Sequence, residues 1–241
     1  MENGQSPFTG RGVFFDMGGT LVFPDPKRIA GVFTRMVGIS SQADDWMNAV
    51  HQATADLDRE LAQNASYLTG EWWEIYFGRM RSSLPFGKDV REFTWKAFTK
   101  QLLKEHVTEN LWSCWVPGVR EVLDALEKAG FYLGVISNSD GRVQEQINRF
   151  GIQDKFRFVL DSHVVKCEKP APEIFRLALE KSGLPAEDVL YVGDFVNIDY
   201  RGALGVGMKA VIIDPLGLRP DLGAPTIPDL PSLKGFIGLD A

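Results

Sequence analysis

Cysteine is nearly absent from this chain: two occur in 241 residues, Cys114 and Cys167. Their separation fits neither a metal knuckle nor a redox pair, which argues against a disulfide scaffold and assigns both as reduced, structural residues. Histidine is as sparse, and His51, His106 and His163 are too scattered to form a metal cluster, leaving surface or helix-packing roles. No apolar run approaches membrane-spanning length. Met1 to Arg11 lacks the basic stretch followed by an apolar run that a secretory signal needs, so the expectation is a cytoplasmic protein with no membrane partner. An excess of positive charge is also missing: the formal net charge of −6 argues against general affinity for nucleic acid or anionic lipid. What remains is an ordinary globular composition, long enough for one large domain or for a core with one insertion.

Strand-like and helix-like segments alternate through most of the chain. Val13 to Phe15 is a short apolar run that ends at Asp16 and the turn-forming Gly18-Gly19, reading as a buried strand that delivers a carboxylate at its C-terminal end. From about Pro24 to Trp115 the pattern is helical, with Trp46, Val50, Ala53 and Leu57 on one face and no β-branched strands between. Pro117-Gly118 then opens a helix bearing Val119, Val122, Leu123 and Leu126, closed by Gly130. Leu133 to Ile136 follows as a strand, Arg142 to Phe150 as a helix, and Phe156 to Leu160 as a strand. Pro172 to Ser182 is a helix with proline at its start and Gly183 at its end. Val189 to Val192 is a strand, Tyr200 to Gly205 lies on a helix, and Ala210 to Ile213 is a further strand. This rhythm predicts a doubly wound, Rossmann-like parallel sheet with helices on both faces, an α/β fold whose ligands sit beyond the carboxyl ends of the strands. The predicted division is a core of residues 1–22 and 116–241 and an inserted α-helical domain of residues 23–115. The proline-rich tail from Pro215 is expected to be irregular and to wrap the core surface. There is no internal repeat.

Polar clusters fall at the carboxyl ends of four of these strands: Asp16, Ser137-Asn138, Lys169, and Asp194 with Asp199. The segments Val13-Phe14-Phe15-Asp16-Met17-Gly18-Gly19-Thr20-Leu21, Val135-Ile136-Ser137-Asn138, Lys169-Pro170-Ala171-Pro172 and Val192-Gly193-Asp194 with Asp199 occur in an order that resembles the haloacid dehalogenase superfamily. The likeness covers Gly12 to Val22 and Val116 to about Asp214. It implies a hydrolase in which Asp16 is the nucleophile. The carboxylates of Asp16 and Asp194 and the carbonyl of Gly18 would hold Mg²⁺, with Asp199 in or beside the metal's outer shell; the other reading of Asp199 is a cap for the following helix. Physical chemistry agrees on the cation, because two converging carboxylates repel unless a hard cation lies between them. Lys169 would set a compact positive charge against phosphoryl oxygens and nucleophile. Lys166 is its rival, but only Lys169 precedes Pro-x-Pro. Ser137, Asn138 and the backbone N–H groups of Gly18, Gly19 and Thr20 would bind the phosphoryl group.

One position departs from the family's phosphatases, most of which carry a second Asp two residues after the nucleophile as general acid and base. Here it is Gly18. Losing such a group costs about 10² to 10⁴ in rate, and Asp25, the nearest carboxylate, belongs to the turn that enters the helical insertion. The resemblance then leaves three readings: a Mg²⁺-dependent phosphatase of a small phosphorylated metabolite that favours good leaving groups, a dehalogenase or phosphonate hydrolase, or an impaired protein that binds a phosphorylated ligand or a partner. Dehalogenases of the superfamily dispense with magnesium, whereas this chain keeps Gly193-Asp194 and Asp199. A phosphonate hydrolase would need an imine-forming lysine, for which Lys88, Lys96, Lys100 and Lys104 are candidates. Asp-Met-Gly-Gly-Thr also resembles the phosphate loop of sugar kinases, but the second Asp-x-Gly-Thr loop and the glycine-rich adenosine segment are missing.

All six tryptophans lie in the region before Pro117, which is the expected filling of a small helical interior. Trp72 and Trp73 are adjacent and cannot both face inward, so one is a candidate for lining the cleft or for a homodimer interface. The resemblance makes the insertion a cap that closes over the active site and selects the substrate.

Overall fold

A computed structural model of the protein describes residues 8–63 and 72–239. Residues 1–7 of the leader reading lie outside them. The chain forms two compact units, one holding the residues up to Leu21 together with Trp115 onward, the other being Val22–Cys114.

The first unit is built on parallel strands. In chain order β1 is Gly12–Phe15, β2 Val22–Pro24, β3 Trp112–Trp115, β4 Tyr132–Ser137, β5 Phe158–Asp161, β6 Val189–Gly193, β7 Lys209–Ile213 and β8 Thr226–Ile227. Six of these make one sheet in the order β5-β4-β1-β6-β7-β8, every pairing parallel. The continuous apolar runs of β1 and β6 are buried at every position, which suits strands covered on both faces. Phe14 of β1 meets Phe158 edge-on at 4.9 Å, and burying a side chain of that size stabilises the fold by roughly 1.5 to 3 kcal/mol. The chain runs from β1 to β4 to β5 on one side and then crosses back to place β6 on the other side of β1. That reversal opens a crevice beyond the carboxyl end of β1, where open α/β sheets bind ligands.

Helices connect the strands with their own start and stop signals. The segment Val119–Lys128 buries Val119, Val122, Leu123 and Leu126 as one stripe. Pro172–Ser182 begins with proline and ends at Gly183 in a left-handed cap, φ 65°. The helix expected near Tyr200 instead opens one residue after Phe195 as a π-helical turn, Val196–Tyr200, and continues as Arg201–Leu204. Two expectations are corrected. The tail is not wholly irregular: β8 adds to β7 with Ile213 opposite Ile227, and Leu233–Ile237 is a short helix. Two strand residues are too few to show a period of two, although Ile227 is buried. The first and last residues of the helical stretch also pair as a two-stranded ribbon, β2 with β3.

The second unit is helical: Pro26–Val37, Ala43–Gln63, Trp72–Ser83 and Glu92–Thr108. Asp25 caps the first, accepting from Lys27 N at 2.9 Å and Arg28 N at 3.1 Å. Trp46, Trp95, Phe33 and Phe98 pack as one aromatic cluster with centroids 5.1 to 6.2 Å apart. Trp72 and Trp73 are both half-buried, the latter against Phe77 and Trp112. Among the described residues, no helix is long and apolar enough to cross a membrane.

Candidate active site

The carboxyl end of β1 is where the ladder comes apart. Phe15 pairs with Val135 of β4 and with Val192 of β6. One residue later Asp16 N still bonds Val192 O at 2.8 Å, but pairing with β4 has ended. The Asp16 carboxylate is delivered at this fork, only 6% exposed.

Asn138, just past β4, brings in the lysine. Its side-chain amide accepts from Lys169 N and donates to Lys169 O, both at 2.8 Å, so the amide holds the backbone of that residue in two directions. The Lys169 side chain, 2% exposed, directs its ammonium to Asp16 Oδ1 at 2.5 Å, Asp199 Oδ1 at 2.7 Å and the Tyr191 hydroxyl at 2.9 Å. Lys166, the rival, is exposed and turns away as the left-handed end of a short helix, φ 60°. An ammonium has three donors, and here each has a protein acceptor. The lysine is therefore first a clamp on Asp16.

Asp199 returns to the site because of the π-helical turn. Its Oδ2 accepts from Asp194 N at 3.1 Å and Phe195 N at 3.0 Å while Oδ1 holds Lys169. It thus caps its own turn and positions the lysine, and one of its oxygens also lies within 4.8 Å of ligand oxygens of Asp16 and Asp194. Gly193 is needed for this fold-back, since a Cβ there would lie 2.5 Å from the Asp199 carboxyl carbon.

Asp194, 7% exposed, accepts no hydrogen bond or ion pair from any described residue. Three carboxylates face one ammonium, leaving the cluster two negative charges in excess. Burial, opposed by Lys169 and reinforced by Asp199, raises Asp16 from 3.8 to about 6. Burial, then Asp16 and Asp199, hold Asp194 well above the usual carboxylate range. Burial works against the charge of Lys169, but Asp16 and Asp199 outweigh it and push the group up to about 12. A hard divalent cation is what such a set of oxygens lacks. The residues fit one: the donors are all oxygens, they converge, and the Asp194 carboxylate accepts no hydrogen bond from the described residues.

Gly19 shapes the opposite wall. Its φ is +85°, and a Cβ on it would lie 2.1 Å from Asp194 Oδ2, so Gly19→Ala should destabilise the fold by about 1 to 3 kcal/mol through strain and collision. A denaturant melt with the wild-type midpoint would show that the turn is not held in this way. Ser137 is 3% exposed and its hydroxyl has no partner among the described residues, while the buried Thr20 hydroxyl is likewise unpaired. Gly18 is half-buried, and the left-handed backbone of the turn belongs to Gly19 alone.

Three residues at strand ends escape a reading by motif. Tyr191 lies within β6, two residues before its end, and its hydroxyl donates to Ile136 O at 2.9 Å. Asp161 ends β5 and accepts from the N–H groups of Gly141, Val143 and His163, fixing the loop that follows β4. Asp214, next after β7, accepts from Leu218 N, Arg219 N and the Arg219 guanidinium in a buried pair. The available signal was position alone: each is a polar group at or near the carboxyl end of a parallel strand.

A family description, haloacid dehalogenase-like hydrolase, matches residues 11–207. The chain belongs to that family. It is 29% identical to a glyceraldehyde 3-phosphate phosphatase of Pyrococcus furiosus over 204 residues, 83% of this chain and 78% of that one. It is 33% identical over 140 residues, 57% of its length, to haloacid dehalogenase-like hydrolase domain-containing protein 3 of Mus musculus, of which the match spans only 55%. Among solved structures, YfnB of Bacillus subtilis, a putative hydrolase of the family bound to magnesium, superposes with a TM-score of 0.62 at 18% identity, covering 95% of this chain and 98% of that one. Other structures with this fold bear the names phosphatase and 2-haloacid dehalogenase alike, so the fold does not choose between those reactions.

Proposed function

We propose that this protein is a magnesium-dependent phosphatase of small phosphorylated metabolites, acting through an aspartyl-phosphate on Asp16 and selective for good leaving groups. The observation that carries the reading is the Asp194 carboxylate, which accepts no hydrogen bond from the described residues, converging with Asp16 and Asp199. Displacement at a carbon–halogen bond by Asp16 needs no second carboxylate at the site, whereas a phosphoryl group needs its negative charge offset. The phosphatase name of the Pyrococcus relative points the same way.

In this mechanism Asp16 attacks phosphorus with the carboxylate oxygen not held by Lys169. The new Asp16–phosphorus bond forms as the ester P–O bond breaks, and water then attacks phosphorus to release phosphate and restore the carboxylate. Lys169 holds the orientation of Asp16, Asn138 fixes Lys169, and the free Ser137 hydroxyl with the N–H groups of Gly18, Gly19 and Thr20 receives the phosphoryl oxygens. Mg²⁺ held by Asp16, Asp194 and the Gly18 carbonyl, with Asp199 at its edge, would supply the positive charge that offsets both carboxylates and phosphate. With Gly18 in place of a carboxylic acid, the leaving oxygen departs without a proton from that position. Aryl and acyl phosphates should therefore exceed simple alkyl phosphates in turnover. The helical unit Val22–Cys114 serves as the cap that selects among them.

The test is phosphate release from aryl, acyl and alkyl phosphates with Mg²⁺ and with chelator, beside halide release from chloroacetate without metal. Halide release together with no phosphate release would overturn the reading. Asp194→Asn should weaken Mg²⁺ binding about tenfold or more by calorimetry, because one of the anionic ligands is neutralised. Unchanged affinity would remove Asp194 from the site.

A further inference from the structure

We propose that Tyr191 is a positioning residue of the active site: its hydroxyl bridges the fork where β1 leaves β4 and thereby fixes the Lys169 ammonium on Asp16. The inference rests on Asp16 being the nucleophile, but it begins from the sheet. Tyr132 N bonds Arg11 O, so Tyr132 turns its backbone groups towards β1. Backbone direction alternates along a strand, hence Gly134 and Ile136 face β1 as well. In an unbroken parallel ladder the Ile136 carbonyl would accept from the N–H of Met17. That donor has left, because β1 ceases to pair with β4 after Phe15 and Val135 and the chain turns at Met17. The vacated carbonyl of Ile136 is taken by Tyr191 OH at 2.9 Å.

The same hydroxyl then has lone pairs to offer, and Lys169 Nζ takes one at 2.9 Å. Tyr191 reaches from β6, on the far side of β1, so one phenol ties together the two strands that flank the nucleophile. The residue is fully buried, with its ring held edge-on by Phe175 at 5.4 Å, so the hydroxyl has little freedom to move. Two carboxylates alone would leave the ammonium free to pivot between them. A third acceptor from below fixes its direction, and the Lys169–Asp16 contact then presents the other oxygen of Asp16 outward. Tyr191 touches neither substrate nor metal in this scheme, and it acts through the lysine.

The experiment combines Tyr191→Phe, Lys169→Met and the double variant, using an aryl phosphate with Mg²⁺, thermal melts, and a crystal structure of Tyr191→Phe. Tyr191→Phe is expected to lower kcat about tenfold with KM little changed, as for a misdirected reacting group. In the Lys169→Met background the same replacement should cost almost nothing further, because the group it directs is absent. An equal loss in both backgrounds, or an unmoved Lys169 ammonium in the Tyr191→Phe crystal structure, would overturn the proposal. If Tyr191→Phe fails to fold while the double variant folds, the fault lies in the uncompensated ammonium and the coupling is upheld; if both fail, Tyr191 belongs to the sheet alone and the proposal falls. Absence of turnover in the wild type would strike the phosphatase reading and leave the crystallographic arm to decide on Tyr191.

Discussion

Asp16→Asn is expected to reduce phosphate release by about 10⁴-fold or more, the scale seen when a covalent nucleophile is removed. The amide is nearly isosteric and its oxygen can still accept from Lys169, so the geometry of the fork should survive. Its effect on stability has the opposite sign. Asp16 is held at about 6 against an ordinary 3.8, so folding disfavours its charged form. That penalty is absent below about pH 3.8 and complete above about pH 6, so in metal-free protein it grows as pH rises through this window. The asparagine variant escapes it and also relieves the repulsion from Asp194 and Asp199. Without metal it should melt no lower than the wild type well above pH 6, and any advantage should shrink as pH falls towards 4, which a series of thermal melts would read. Phosphate release within tenfold of wild type would remove Asp16 from the mechanism.

The two halves of that expectation reflect what could be read from residues and what could not. Strand positions were legible because Val13 to Phe15 and Val189 to Val192 are short apolar runs with polar residues at their ends, and that pattern survives folding almost unchanged. β8 was hidden because two residues carry no period, and the β2–β3 ribbon because its four-residue partner Trp112–Trp115 is aromatic and half-buried rather than apolar and alternating. In the site, Asp16, Lys169, Asp194 and Asp199 stand out by their place after strands, and the structure brings all four together. The interplay among them was not legible. The π-helical turn that folds Asp199 back onto Lys169 depends on one extra residue of backbone in a helix, which no side-chain pattern announces. Tyr191 reads as one more buried aromatic until the missing ladder bond on Ile136 gives its hydroxyl a purpose.

Gly18→Asp should raise turnover of an alkyl phosphate by up to about 10²-fold, and of an aryl phosphate by about tenfold less. The argument begins with what else could supply a proton. The Tyr191 hydroxyl donates to Ile136 O and lies beneath Lys169, so it cannot reach a departing group. Each proton of the Lys169 ammonium already has a protein acceptor. Asp25 accepts the N–H groups of Lys27 and Arg28 as a helix cap, and Asp161 is occupied with Gly141, Val143 and His163. None of these four groups takes over the missing acid, so its restoration should be felt. The backbone permits it, because the left-handed φ of +85° falls on Gly19 and not on Gly18, sparing an aspartate there the strain that a positive φ would impose. The gain is unequal because protonation assists departure only when the leaving oxygen is basic, whereas a general base for water assists both substrates at the second step. Initial rates of phosphate release for both esters, with melts of both proteins, would measure it. A well-folded variant that gains on neither ester would mean that the site is built for a reaction other than phosphate ester hydrolysis.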